Sequence, residues 1–128
     1  MFKLHTVGSA KTAPMEYIMG TTSEAISLGE ALYLSSGKLT KASGTTAPEF
    51  IAVGSGNGVV IPVIRIMEDM EFETVFSADA SAIAEGSKVT LGSDGLTATA
   101  TTTSGVFAIS KKLGTGASGT GVRGYFRR

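Results

Sequence analysis

The residues best suited to chemistry are the carboxylates of the run Glu68-Asp69-Met70-Glu71-Phe72-Glu73. On a strand, side chains two positions apart share a face, so Asp69, Glu71 and Glu73 would stand together. Three carboxylates so placed could hold a divalent cation or divide the acid and base roles of a hydrolase. The intervening Met70 and Phe72, with Phe76 beyond them, favour a simpler reading: a strand with one solvated acidic face and one apolar face. No other acid is spaced to complete a site. The lone His5 has no Ser or Asp placed to form a triad with it. Gly54-Ser55-Gly56-Asn57-Gly58 superficially resembles a phosphate loop, but it lacks the following Lys-Ser/Thr pair and a helix to aim at an anion. At the C-terminus Arg123, Arg127 and Arg128 accompany Tyr125 and Phe126, with Lys111 and Lys112 upstream. Such a group could stack on and neutralise nucleic acid. It suits a protein interface better, where Arg and aromatic residues are enriched. Arg123, Tyr125, Phe126 and Arg127 are therefore the expected interface residues. No catalytic, cofactor-binding or metal-binding residue is assigned, and the chain is expected not to be an enzyme.

Composition narrows the classes further. The 128 residues point to one domain, large enough to bury a core without staples. Without cysteine there is no disulfide framework and no thiolate metal site. Eleven basic and eleven acidic side chains balance, which argues against a general nucleic-acid binder. No apolar run approaches the roughly 20 residues that span a bilayer, and Met1 to His5 opens no signal peptide. Neither nucleic acid nor membrane is expected as a partner, and synthesis in a cytoplasm is.

The elements that must carry these residues read as strands. Apolar positions alternate in Leu32–Leu34, Ile61–Ile66, Met70–Phe76, Val89–Leu91 and Val122–Phe126. Turn residues separate them, and Asp94-Gly95 is a strong hairpin signal. One stretch, Ala80–Ala84 after Asp79, is equally consistent with a short helix stopped by Gly86. The expectation is an all-β domain, a small barrel or sandwich.

An internal repeat is also visible. Ala25-Ile26-Ser27-Leu28-Gly29 recurs as Ala82-Ile83-Ala84-Glu85-Gly86, then Leu32 and Leu34 as Val89 and Leu91, and Leu39-Thr40 as Leu96-Thr97. Phe50–Val53 then corresponds to Val106–Ile109, the offset falling from 57 to 56. The kept order favours duplication of a β-hairpin unit over chance likeness of small-residue strands.

Residues 1–20 lack turn chemistry, and Pro14 favours extended chain. They are read as an N-terminal arm, with 21–128 as the β domain. An arm bearing Phe2, Leu4, Thr6, Val7, Met15, Tyr17 and Ile18 suits addition of a strand to a partner.

The stretch Leu32-Tyr33-Leu34-Ser35-Ser36-Gly37-Lys38-Leu39, then Gly44-Thr45-Thr46 and Ala52-Val53-Gly54, resembles the head decoration proteins of lambda-like phages over about residues 28–76. The second half is more similar to the broader family of tailed-phage capsid cement proteins, through Ala82–Val89. The resemblance implies a non-enzymatic homotrimer on the outer surface of the virion. It would sit at threefold and quasi-threefold positions of the expanded head and clamp the major capsid protein. It also implies that the arm pairs with a capsid-protein strand. Another virion component, such as a tail-tube or head-fibre protein, is the alternative, and a carbohydrate-binding module a more distant one.

Overall fold

The computed structural model describes residues 1–8 and 10–127. Its strands are β1 (Lys3–Val7), β2 (Met15–Met19), β3 (Ala25–Ile26), β4 (Ala31–Ser35), β5 (Lys38–Lys41), β6 (Phe50–Ala52), β7 (Gly56–Asn57), β8 (Val60–Arg65), β9 (Met70–Val75), β10 (Lys88–Val89), β11 (Phe107–Lys112) and β12 (Gly121–Phe126). No helix occurs among the described residues. Two five-stranded sheets run β1-β9-β12-β11-β10 and β2-β8-β6-β4-β5, and β3 pairs with β7 alone. The molecule is an all-β, sandwich-like domain. Neither sheet closes into a barrel ladder. A parallel bridge from Gly20 to Leu39 joins the ends of the β2-β8-β6-β4-β5 sheet, and in the other sheet a parallel bridge from Phe76, just after β9, reaches Ala98, which bridges Leu91 just after β10.

The alternation in the sequence becomes the alternation of burial. Along β9, Met70, Phe72 and Thr74 are buried and Glu71 and Glu73 are not. The β2-β8-β6-β4-β5 sheet buries both faces over its centre. Ala31, Ile51 and Ile64 join the main core with Phe72, Phe107 and Val122 of the other sheet. Their chain neighbours Leu32, Phe50 and Val63 form a second cluster with Leu39, Ile61 and Ile26.

The repeat is present in the hydrogen bonding. Ala31 pairs with Ile51 and Leu32 with Phe50; residues 57 positions later, Lys88 pairs with Ala108 and Val89 with Phe107. Gly29 N–H donates to Ala52 O at 2.8 Å, and Gly86 N–H to Ile109 O at 2.8 Å. Both glycines take a left-handed φ, +80° and +95°. The offset therefore stays at 57 through this strand, aligning Phe50 with Phe107 rather than with Val106. The next strands follow suit. Arg65, Ile64 and Val63 pair with β6 as Phe126, Tyr125 and Gly124 pair with β11. Tyr17 to Met19 pair with Pro62 to Val60 as Glu73 to Val75 pair with Arg123 to Gly121. A first unit from β2 to β8 is thus built like a second from β9 to β12.

One open alternative is decided and one expectation is corrected. The stretch after Asp79 is a single turn, with Ile83 N–H on Ala80 O at 3.0 Å and the Asp79 carboxylate accepting from Ser81 N–H. The extended hydrogen bonding of Gly86 and Ser87 to Ile109 competes successfully with further helix. Residues 1–20, in turn, are not an arm apart from the body. β1 is an outer strand of one sheet, paired with β9, and β2 an outer strand of the other, paired with β8. The fold-back that seemed to lack turn chemistry is made at Gly8, at φ +57°, where Val7 and Ala10 exchange hydrogen bonds of 2.8 and 2.9 Å. Phe2 anchors the strand. Its ring is 1% exposed and lies 5.4 and 5.2 Å from the rings of Phe107 and Phe126. Burial of such a ring contributes about 1.5–3 kcal/mol.

Candidate interaction surface

The acidic run is spread over a turn and a strand and is largely neutralised. Glu73 accepts from Arg123 Nε at 3.0 Å and lies 3.4 Å from Lys3 Nζ. The Arg123 guanidinium, then the Lys3 ammonium, hold its carboxyl below the usual carboxylate range. Glu71 accepts from the Ser110 hydroxyl and lies 3.8 Å from His5 Nε2. No group of three His, Cys, Asp or Glu suited to a metal occurs among the described residues. Gly56 and Asn57 form β7 and serve to pair with Ile26 and Ala25.

The residues assigned to the arm divide into two sets. Phe2 is core, and Leu4 and Val7 pack against the same cluster. Thr6 is half-buried in β1, and Ile18 packs on the second cluster. Only Met15 and Tyr17 are exposed, at 54% and 67%. Met19 and Val60 join them, at 42% and 51%. The period-two spacing of Met15, Tyr17 and Met19 carried that signal, although the sequence reading assigned neither Met19 nor Val60.

The C-terminal residues do not form one basic patch. Arg123 is taken by Glu73. Phe126 is buried in the aromatic group with Phe2, Phe72 and Phe107. Arg127 stacks 4.8 Å from the Tyr125 ring and donates to Glu68 O at 2.7 Å. Lys112 Nζ donates to Ser81 O at 3.2 Å and to Ile83 O at 2.9 Å. Arg128 lies outside the described residues.

Arg127 and Phe126 nevertheless reach a site. With Ala47, Glu49, Arg65 and Met67 they line an open cleft of about 420 Å³ where the two units meet. Arg65, at the position equivalent to Phe126, is held by both Glu16 oxygens at 2.9 Å and lies 4.8 Å from the Phe50 ring. The lining offers the guanidinium groups of Arg65 and Arg127, two acidic residues, Glu49 and Glu68, and an apolar wall. It holds no nucleophile beside a base, the pairing that covalent catalysis requires.

No protein-family model matches this chain, and no curated protein matches it at a significant level.

Proposed function

We propose that the chain is a capsid decoration protein, a non-enzymatic β module that binds the outer surface of an expanded phage head. The observation that carries the reading is the cleft at the junction of the units. Arg65 and Arg127 are held there in fixed orientations beside Met67 and Phe126. A site of this kind receives an extended protein segment by salt bridges at its rim and apolar contact within. The resemblance of residues 28–76 to head decoration proteins supplies the partner class, the major capsid protein. A ligand that binds the mature lattice alone stabilises it by mass action. The balanced charge of the chain lets many copies crowd one shell without mutual repulsion.

The direct test is cosedimentation with undecorated expanded heads. The chain should pellet with expanded heads and not with unexpanded ones. Met67→Asp, at an exposed position of the cleft, should weaken pelleting at least tenfold while leaving the circular dichroism spectrum unchanged. Equal pelleting of the variant would remove the cleft from the interface.

A further inference from the structure

One residue carries every side-chain amide of this chain. Asn57 is the single Asn, and there is no Gln. Glycine follows it, and with no Cβ on that glycine the path from its nitrogen to the Asn carboxamide carbon is unshielded. Asn is among the residues lost first on prolonged heating. The fold leaves the pair open to that chemistry. Asn57 is exposed in β7. β7 pairs with β3 through two residues on each strand, and this ladder belongs to neither five-stranded sheet. A ladder of that size is marginal by itself and opens at low cost. Gly58 lies just beyond β7 at φ +65°. Among the described residues, neither its N–H nor the Asn57 carboxamide is held by a hydrogen bond. The connection between β11 and β12, the equivalent of this one in the second unit, carries no amide side chain.

We infer that Asn57-Gly58 is a site of spontaneous modification in the folded chain, where water converts Asn57 to aspartate and isoaspartate. The Gly58 nitrogen gives up its proton and attacks Asn57 Cγ. A bond forms between that nitrogen and Cγ, the Cγ–Nδ2 bond breaks, and ammonia leaves with the proton. The result is a succinimide ring spanning the two residues. Water then adds to one of the two ring carbonyls. Breaking the new Cγ–N bond gives aspartate on the original main chain. Breaking the original peptide bond gives isoaspartate, whose main chain runs through Cβ and Cγ and is longer by one methylene. Nothing is oxidised or reduced. Either product adds one carboxylate to a chain whose formal charge is zero. The isoaspartyl product cannot keep β7 paired. A Cβ on Gly58 would lie 3.1 Å from Thr22 Cα, and one on Gly56 would run into Val59 Cγ2, so a longer main chain has no slack beside β3. The inference does not depend on the capsid reading.

The test ages the full chain in mildly alkaline buffer beside a synthetic peptide of residues 54–60. Isoelectric focusing should show the wild type gaining one negative charge and no second, at a rate within about tenfold of the peptide's, because the ladder that restrains Asn57 opens readily. Peptide mapping should find both aspartate and isoaspartate at position 57. Asn57→Gln should keep its charge, since its ring would need a further methylene and closes far more slowly. The isoaspartyl fraction, separated by ion exchange, should have a lower thermal midpoint than Asn57→Asp, which carries the same charge on an unaltered main chain. A wild type that converts more than about tenfold slower than the peptide, or an Asn57→Gln chain that acidifies at the wild-type rate, would overturn the site. An isoaspartyl fraction that melts together with Asn57→Asp would overturn the loss of β7.

Discussion

Glu73 and Arg123 face each other across β9 and β12 with 3.0 Å between carboxylate and guanidinium, at the positions that Tyr17 and Pro62 fill in the first unit. The duplicated fold has diverged along this row. One unit carries an ion pair on this face, and the other exposes Met15, Tyr17, Met19 and Val60.

The ion pair has a pH signature. The Glu73 carboxyl is depressed by Arg123 and then Lys3. Its contribution is therefore complete above the unfolded carboxyl value near 4.3 and is lost as pH falls through the lower folded value. Arg123→Ala should be less stable than wild type at neutral pH, and the difference should shrink as pH falls below about 4. Urea midpoints measured from pH 7 to pH 3 check this.

Glu30 should behave in the opposite sense. It is 2% exposed, Oε1 accepts weakly from Ser27 N–H at 3.4 Å, and Oε2 has no hydrogen-bond partner in the protein. Burial raises its carboxyl above the usual range. The folded state favours the protonated acid, so its stability contribution is full below the unfolded value and declines as pH rises through the raised folded value. Glu30→Gln should stabilise the protein by about 1 kcal/mol at pH 7 and flatten the pH dependence between 4.5 and neutrality. The urea midpoint at pH 5 and pH 7 reads both effects.

The strand order was legible in the sequence where pairing is local or alternation strong. Leu32–Leu34 lies in β4, Ile61–Ile66 falls in β8 (Val60–Arg65) but for its last residue, Met70–Phe76 falls in β9 (Met70–Val75) but for its last residue, and of Val89–Leu91 only Val89 lies in a strand. The Asp94-Gly95 turn is closed by Gly92 N–H on Thr97 O at 2.8 Å. The repeat was readable because turn glycines and strand apolar residues keep their spacing. The place of residues 1–20 was not readable. Leu4 finds Phe72, and Met15 finds Ile64, across long sequence separations. The aromatic group that receives Phe2 is assembled from Phe107 and Phe126 at the far end of the chain. The cleft was half legible: Phe126 and Arg127 were singled out, but Arg65, Glu49 and Met67 meet them only through the docking of the two units.

Integration of the N-terminus has a direct consequence. Phe2→Ala should destabilise the protein by about 3–5 kcal/mol, the cost of emptying a core aromatic site. Removal of residues 1–19 should abolish the cooperative unfolding transition, because it strips the outer strand from both sheets. A calorimetric scan of each variant tests the pair.

The equivalent glycines should respond unequally. Gly29→Ala and Gly86→Ala both force a left-handed conformation on a side chain, at about 1–2 kcal/mol. At Gly86 a Cβ meets open space, whereas at Gly29 it would lie 2.8 Å from Phe2 O and 2.9 Å from Met1 Cγ. Gly29→Ala should lower the thermal midpoint clearly more than Gly86→Ala, since it also displaces the start of β1.

The central claim is that this duplicated β domain covers a capsid surface. Cryo-electron microscopy of expanded, undecorated heads mixed with the purified chain tests it most directly. The account predicts added density on the outer surface at threefold and quasi-threefold positions, with the cleft of Arg65, Met67 and Arg127 against the capsid protein. Heads that remain bare at saturating protein would contradict it.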